Sequence, residues 1–164
     1  MALLVGRHLN KIDKKGRVSV PKPFRDALAP ASAAGGASFS GLYAYPLFKV
    51  PALEACDEAF LQRLSSSLED LDMFSDEQDD LAAILLENAH PLPFDPEGRI
   101  VLPKELADHA GIDGEALFVG RGTRFQIWEP AVYETHRRQA FERARSRGAT
   151  FKLRRPDGSD GEEG

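Results

Sequence analysis

The sequence predicts an α+β protein made of two similar halves, each built from short strands and short helices. One phrase occurs twice, as KIDKKGRVSVPKPFRDAL from residue 11 and as PFDPEGRIVLPKELADHA from residue 93. Each copy is followed by strand-type residues, a proline and a helical pattern. These observations predict a first half at 1–65, a linking helix at 66–89, a second half at 90–145 and a disordered tail at 146–164.

The repeated phrase begins with a turn signature in each copy. In DPEGR, Asp95 suits the first position of a type I turn, Pro96 fixes φ at the next, and Gly98 accepts a left-handed conformation. DKKGR keeps the aspartate and the glycine and replaces Pro-Glu with Lys-Lys. Both predict hairpin loops with a glycine bulge. We call residues 13–17 the first loop and residues 95–99 the second loop.

A strand and a short helix are predicted after each loop. Alternation in RVSV places Val18 and Val20 on one face of a strand. Pro21 and Pro103 are expected at the first position of the helices that follow. Gly111 is a helix stop. The small-residue segment APASAAGGAS, residues 29–38, is expected to be a surface loop.

A capped helix is predicted between the halves. Ser75 and Gln78 form a capping-box pattern, and acidic residues follow in the first turn. Its predicted packing face comprises Leu81, Ile84, Leu85 and Asn88. We expect this face to pack across the halves or against a neighbouring subunit.

Composition fits a globular protein, with 42% hydrophobic residues and no apolar run long enough to span a membrane. The start, MALLVGRHLNK, is interpreted as a first strand rather than a signal peptide. A single cysteine, Cys56, excludes an intrachain disulfide framework. Its helical spacing from Leu53 and Phe60 predicts a thiol in the core.

The charge is unevenly distributed, although the net charge is only -5. Residues 1–25 hold seven basic side chains and one acidic, whereas residues 26–90 hold two basic and twelve acidic. Residues 129–155 hold eight basic and three acidic. A polyanion responds to charge within about 8 Å at physiological salt, so a basic face on an acidic protein can bind one.

An aspartate and an arginine lie four residues apart in each loop. In the structural interpretation the aspartate caps the turn and pairs with its arginine. In the functional one, which the first loop favours, it orients the arginine toward a phosphate or a guanine edge. The predicted DNA-binding residues are Lys11, Asp13, Lys14, Lys15, Arg17, Lys22 and Arg25. The second motif, assigned to folding or assembly, comprises Asp95, Gly98, Arg99 and Lys104.

The C-terminal stretch RRQAFERARSRGATFKLRR adds further positive charge. Its arginines either contact the DNA backbone or belong to a solvated helix face followed by a disordered arm. The residues concerned are Arg137, Arg138, Arg145, Arg154 and Arg155.

No motif indicates an enzyme, a cofactor or a metal site. The four histidines, His8, His90, His109 and His136, have no metal-ligand spacing, and neither a nucleophile elbow nor a P-loop occurs. GRGTRF, residues 120–125, lacks a strand-to-helix setting and is interpreted as a hairpin turn.

The duplicated loop, its Pro-Lys exit and the strand pair LFVGRGTRFQIW at 117–128 resemble the MraZ family over residues 5–145. The resemblance implies halves similar to the swapped-hairpin β-barrels of AbrB regulators and MazE antitoxins. It places the family's D-x-x-x-R motifs on Asp13 and Arg17 and on Asp95 and Arg99.

The resemblance also implies a function, namely transcriptional regulation of the division and cell-wall gene cluster, with repression the expected direction. Such a regulator would bind double-stranded promoter repeats as a homo-oligomeric ring, in the cytoplasm and associated with the nucleoid, with no membrane partner. The alternative is an antitoxin-like or structural assembly module without sequence-specific DNA reading.

Overall fold

A computed structural model describes residues 3–28 and 40–156. The predicted surface loop at 29–38 and the end of the predicted tail lie outside this part of the chain. The chain divides into two compact units, residues 1–130 and 131–164. Within the described residues, no helix is both long enough and apolar enough to cross a membrane.

Two parts of the chain, residues 7–69 and residues 90–147, contain the same elements in the same order. These two parts are the two copies of the repeat and are not the two compact units. The first contains β1 (Arg7–Lys11), β2 (Arg17–Ser19), α1 (Lys22–Ala27), β3 (Gly41–Pro46), β4 (Leu53–Cys56) and α2 (Glu58–Glu69). Between them lies α3 (Asp76–Leu81), which continues as a π-helix over Ala82–Glu87. The second contains β5 (His90–Pro93), β6 (Arg99–Val101), α4 (Lys104–Ala110), β7 (Glu115–Gly120), β8 (Phe125–Trp128) and α5 (Pro130–Arg147).

Six strands form one antiparallel sheet in the order β1-β7-β8-β4-β3-β5, and β2 pairs with β6 in a separate antiparallel ribbon. The two parts exchange strands reciprocally: β1 pairs with β7, and β5 pairs with β3. The central pair, β4 with β8, also joins the two parts. The predicted fold class, an α+β duplication of swapped-hairpin halves, is confirmed.

The ribbon and the sheet share one apolar core. Val18 and Ile100 of the ribbon are each 1% exposed and belong to the same buried cluster as Phe118 of the sheet. Phe24 of α1 packs on Phe125 with a ring-centroid separation of 5.0 Å. Full burial of side chains of this size stabilises the fold by about 1.5–3 kcal/mol each. The predicted inward face of β2 is therefore confirmed.

A polar network lies buried at the central strand pair. Glu54 of β4 is 7% exposed. Its carboxylate accepts hydrogen bonds from the Tyr45 hydroxyl at 2.7 Å and from Gln126 Nε2 at 3.4 Å, and it pairs with Arg124 Nε at 3.2 Å. Trp128 Nε1 donates to Gln126 Oε1 at 2.9 Å. The network contains side chains from both parts of the chain and was not predicted from the sequence.

The helix ends follow the predictions with one correction. Pro21 and Pro103 are the N-cap residues of α1 and α4, one position earlier than expected, because both keep extended ψ angles of 135° and 142°. Gly111 ends α4 at a φ of 65°, as predicted. Ser75 Oγ accepts from the Gln78 backbone N–H at 3.1 Å, which is one of the two bonds of the predicted capping box.

The predicted packing face between the halves is confirmed in part. Leu85 is buried in a cluster with Tyr45 and Cys56, while Leu81 and Ile84 are half-buried. The helix is widened to a π-helix at this point, which the periodicity did not indicate.

Cys56 lies in the core as predicted, but not on a helix. It ends β4, faces Tyr43 across the pair with β3, and is 0% exposed. Burial, together with the negative charges of Asp57 and Glu54, raises the pKa of its thiol to about 12. The helical prediction was wrong because all four residues of β4 are buried, so their apolar run gives no strand alternation.

Gly120 permits the N-terminal segment to approach β7. Its N–H donates to Gly6 O at 2.8 Å, and a methyl group at this position would lie 2.6 Å from Val5 Cα. We expect Gly120→Ala to destabilise the fold by about 1–3 kcal/mol, because backbone rather than a flexible side chain has to move. Thermal unfolding would measure this as a fall in Tm of roughly 2–4 °C per kcal/mol.

Gly114→Ala is the matched control for this prediction. A methyl group at Gly114 has nothing within 4 Å. Equal Tm values for the two variants would contradict the close approach at Gly120.

Candidate nucleic-acid interface

The first loop is fixed by Asp13. Gly16 N donates to Asp13 O and Asp13 N donates to Arg17 O, both at 3.0 Å, and Gly16 takes a φ of 82°. Asp13 Oδ1 accepts from the backbone N–H of Lys15 and of Arg17, each at 2.9 Å. Asp13 Oδ2 accepts from Arg17 Nε at 2.7 Å. The aspartate therefore caps the turn and orients the arginine at the same time.

The second loop repeats this geometry. Gly98 N donates to Asp95 O at 2.9 Å, and Gly98 takes a φ of 79°. Asp95 Oδ1 accepts from the backbone N–H of Glu97 at 2.9 Å and of Arg99 at 2.8 Å. Asp95 Oδ2 accepts from Arg99 Nε at 2.8 Å. The predicted pairing within each loop is confirmed in both copies.

The two arginines differ in what their remaining nitrogens contact. The Arg99 NH2 atom pairs with Glu97 Oε2 at 2.7 Å. The position that corresponds to Glu97 in the first loop is Lys15. Among the described residues, Arg17 forms an ion pair with Asp13 alone, and its side chain is 35% exposed. From their sequences, the first loop carries a net charge of +2 and the second a net charge of -1.

Each loop is attached to the strand of the other half. Leu102 N donates to Gly16 O at 2.8 Å, and Val20 N donates to Gly98 O at 3.1 Å. Because β2 and β6 are antiparallel, the two loops lie at opposite ends of the ribbon. One end of the β2–β6 ribbon therefore carries the basic first loop, and the other end carries the acidic second loop.

The other predicted DNA-binding residues fall into two groups. Lys11, Lys14 and Lys15 are exposed on the hairpin that carries the first loop. Lys22 is also exposed but pairs with Asp26 at 2.8 Å. Lys104 of the second motif pairs with Asp108 at 2.7 Å in the same way.

Arg25 contacts the protein rather than standing free at the surface. Its Nε donates to Val20 O at 3.0 Å, and a methyl group added to Gly98 would overlap its guanidinium. Sequence reasoning missed this contact because it joins α1 to the second loop across 73 residues of chain. A direct contact between Arg25 and DNA stays a prediction.

The position of Arg25 is occupied by Ala107 in the second half, and a groove of about 720 Å³ lies there beside the first loop. Its walls are the first loop, the end of β6, α4 and the segment that follows α4. The lining includes Ile12, Lys14, Lys15, Val101, Lys104, Ala107, Asp108 and Ile112. The second loop is thus packed against an arginine, whereas the first loop borders open space.

The C-terminal arginines lie on or beyond α5. Arg137 and Arg138 pair with Glu134 at 3.4 Å and 3.5 Å, and Arg145 pairs with Glu142 at 3.6 Å. Arg154 and Arg155 are exposed beyond the helix end. The pairs fit a solvated helix face, and contact with DNA stays a prediction.

Hydrogen bonds from Arg17, its backbone N–H first, hold the pKa of Asp13 below its ordinary value of 3.8. A lowered folded-state pKa adds stability that is present above the unfolded value and is lost as pH falls through the folded one. We expect Asp13→Asn to destabilise the protein at neutral pH, and the difference from wild type to shrink below pH 3.8. Chemical unfolding as a function of pH measures it, and a constant difference down to full acid denaturation would contradict it.

Within residues 3–28 and 40–156, no group of three histidine, cysteine or acidic side chains is placed to hold a metal ion. The candidate site consists of the two loops, whose aspartate–arginine geometry is the same in both copies. Together they define the class as a duplicated, AbrB-like swapped-hairpin protein with one basic and one acidic loop.

Comparison with known sequences gives the family. The family model described as "MraZ protein, putative antitoxin-like" matches residues 85–154. The chain is 44% identical over 160 residues to the transcriptional regulator MraZ of Gluconacetobacter diazotrophicus, covering 98% of this chain and 99% of that protein. The chain belongs to the MraZ family.

Two further relatives have the same name, transcriptional regulator MraZ. The protein of Rickettsia akari is 36% identical over 93% of this chain and 98% of its own length. The protein of Pelagibacter ubique is 39% identical over 92% of this chain and 93% of its own length. Similarity therefore extends over nearly the whole of each chain.

Proposed function

We propose that this protein is a sequence-specific DNA-binding transcriptional regulator that contacts promoter DNA through its first loop. The observation that carries the proposal is the geometry of Arg17. Its Nε is held by Asp13 at 2.7 Å while Lys14 and Lys15 stand exposed beside it. An oriented guanidinium beside two exposed lysines, which form no ion pair with any other described residue, is suited to a polyanion. The names of the relatives, transcriptional regulator MraZ, support the same function.

Different side chains of the first loop would provide affinity and specificity. Lysines at the tip contact phosphates, and these contacts set position without reading sequence. The planar fork of Arg17 suits the O6 and N7 atoms of guanine, a bidentate contact worth about 1–3 kcal/mol of discrimination. A two-stranded ribbon fits the major groove, which gives the loop access to base edges.

One loop reads only a few base pairs, so a useful regulator needs several of them. We propose that copies of the chain assemble into a ring and that their loops bind evenly spaced promoter repeats. Linked sites gain through effective concentration, by roughly 10²–10⁴ in avidity. The proposed targets are promoter repeats of the division and cell-wall gene cluster, bound in the cytoplasm at the nucleoid, with repression as the expected direction.

The acidic part of the chain supports a single orientation on DNA. Residues 26–90 hold twelve acidic and two basic side chains, so the surface that they supply repels a polyanion. DNA would then approach the first loop rather than this surface.

A second candidate function is that of an antitoxin-like or assembly module that binds a protein partner. The description of the matching family as antitoxin-like is the observation in its favour. This candidate predicts an intact oligomer without preference for any DNA sequence.

A salt titration of DNA binding tests the proposal. The full-length protein is titrated with duplex DNA from upstream of its own gene and with a scrambled duplex of the same length. We expect preference for the upstream DNA and a log–log salt slope of about -0.9 per phosphate contacted. An intact oligomer with equal affinity for both duplexes at every salt concentration would refute the regulator and favour the second candidate.

A further inference from the structure

The second loop has the same geometry as the first loop, which we propose contacts DNA, but its net charge is negative instead of positive. Both arginines are held by an aspartate through Nε, at 2.7 Å for Arg17 and 2.8 Å for Arg99. Only Arg99 has a second carboxylate on its outer nitrogen, from Glu97 at 2.7 Å. The two loops thus differ in whether the outer edge of the guanidinium is already occupied.

A carboxylate on this edge takes the place that a DNA phosphate or a guanine edge would take. Carboxylate and phosphate oxygens are both bound by the planar fork of arginine at the same short distances. Glu97 also supplies a negative charge at the loop tip, where the first loop has Lys15. Both effects oppose DNA binding by Arg99.

We infer that Glu97 is a specificity-determining residue, which occupies Arg99 with an internal carboxylate and thereby keeps the second loop off DNA. Each chain then contacts DNA through its first loop only. The end of the β2–β6 ribbon that faces DNA is therefore fixed. This inference rests on the proposed function and adds to it the identity of the residue that silences the second loop.

A purely structural role for the Glu97 pair is disfavoured by its exposure. The Glu97 side chain is 69% exposed, and an exposed ion pair contributes little to stability. The loop is held without it, by the two backbone bonds to Asp95 Oδ1 and by Arg25 packed against Gly98. Replacing the Glu97 side chain therefore leaves these loop contacts in place.

The test uses a chain whose first loop has been silenced by Arg17→Ala. Glu97→Lys is added to this variant, and binding to a scrambled duplex and to the upstream duplex is measured over a range of salt. We expect at least a tenfold gain in affinity over Arg17→Ala alone, with a steeper salt slope, because Arg99 and a new lysine become available. Glu69→Lys in the same background is the control, since Glu69 is exposed on α2 and gives the same change in charge.

The inference is overturned if Glu97→Lys gains no more affinity than Glu69→Lys does. Wild-type binding in the same titration reports on the proposed function separately, so the failure of each is distinguishable. Glu97→Gln in the otherwise unaltered chain provides a second test, because it removes the charge and keeps the size of the side chain. We expect it to raise affinity for the scrambled duplex severalfold, and an unchanged affinity would equally overturn the inference.

Discussion

Arg17→Ala is expected to abolish the preference for promoter DNA while the oligomer stays intact. Loss of one bidentate guanine contact removes about 1–3 kcal/mol of discrimination, or roughly 5- to 150-fold for each engaged loop. Several loops bound to repeated sites multiply this effect. The measurement is the ratio of affinities for upstream and scrambled duplexes, taken together with the oligomer mass.

Two variants sharpen this result. Arg17→Lys keeps the charge and loses the planar fork, so we expect it to retain affinity for scrambled DNA and to lose preference. Arg99→Ala is the matched control, because Arg99 has the same backbone setting in the second loop and is already paired with Glu97. If the preference for promoter DNA survives in Arg17→Ala but disappears in Arg99→Ala, the second loop recognises the sequence, and the prediction is contradicted.

Arg124→Ala is expected to give the largest loss of stability of a single substitution outside the hydrophobic core. It leaves the Glu54 carboxylate, 7% exposed, without its cationic partner at 3.2 Å. Breaking a buried ion pair costs about 3–5 kcal/mol. Because the Arg124 side chain is 36% exposed, screening reduces this, and we expect about 2–3 kcal/mol.

The Tyr45 hydroxyl cannot replace the lost arginine. Burial first, and the charge of Glu54 second, raise the pKa of Tyr45, so its hydroxyl stays protonated and donates one hydrogen bond to the carboxylate. This bond and the longer one from Gln126 Nε2, at 3.4 Å, both come from neutral donors, and they do not balance a buried negative charge.

A double variant separates the ion pair from simple loss of packing. Glu54→Gln in the Arg124→Ala background removes the unpaired charge, so we expect it to recover part of the lost free energy of unfolding. Arg121→Ala is the control on the same turn, because Arg121 has no carboxylate partner among the described ion pairs. If the double variant is less stable than Arg124→Ala alone, the unpaired charge of Glu54 is not the cause of the lost stability.

The local structure of the loops could be predicted from the sequence because it is encoded within five residues. An aspartate, a glycine and an arginine at fixed spacing specify the turn, its left-handed residue and the ion pair. Helix ends such as Gly111 and Ser75 were predictable for the same reason. Local hydrogen bonds depend only on near neighbours in the chain.

The strand exchange and the polar network were not predictable by the same reasoning. Both parts of the chain offer β1- and β3-type strands of the same pattern, so pairing within a half and pairing across the halves bury similar residues. Glu54 was a signal that was missed: an acidic residue within the apolar strand LEAC requires a partner. Its partner, Arg124, is 70 residues away in sequence and becomes evident only once β4 and β8 are paired.

The packing of Arg25 on Gly98 was not predictable for the same reason, because it joins residues that are far apart in sequence. In sequence it is one of seven basic residues near the N-terminus, and its charge suggested DNA. In the fold, its distance from the second loop is set by the β2–β6 ribbon. Charge counts identify a basic segment, but they do not distinguish the side chains that the fold itself uses.

The reciprocal pairing of β1 with β7 has a consequence for biosynthesis. When β1 leaves the ribosome, the strand that will cover its edge, Glu115–Gly120, has not been translated. At roughly 5–20 residues per second, synthesis of the intervening chain takes on the order of 5–20 s. During this interval β1 has unpaired backbone groups, so the nascent chain is a substrate for holding chaperones and for pairing with chains on neighbouring ribosomes. Pairing of β1 with the sheet is therefore expected only after most of the protein has been made, whereas β3 and β4 can pair earlier because they are close in sequence.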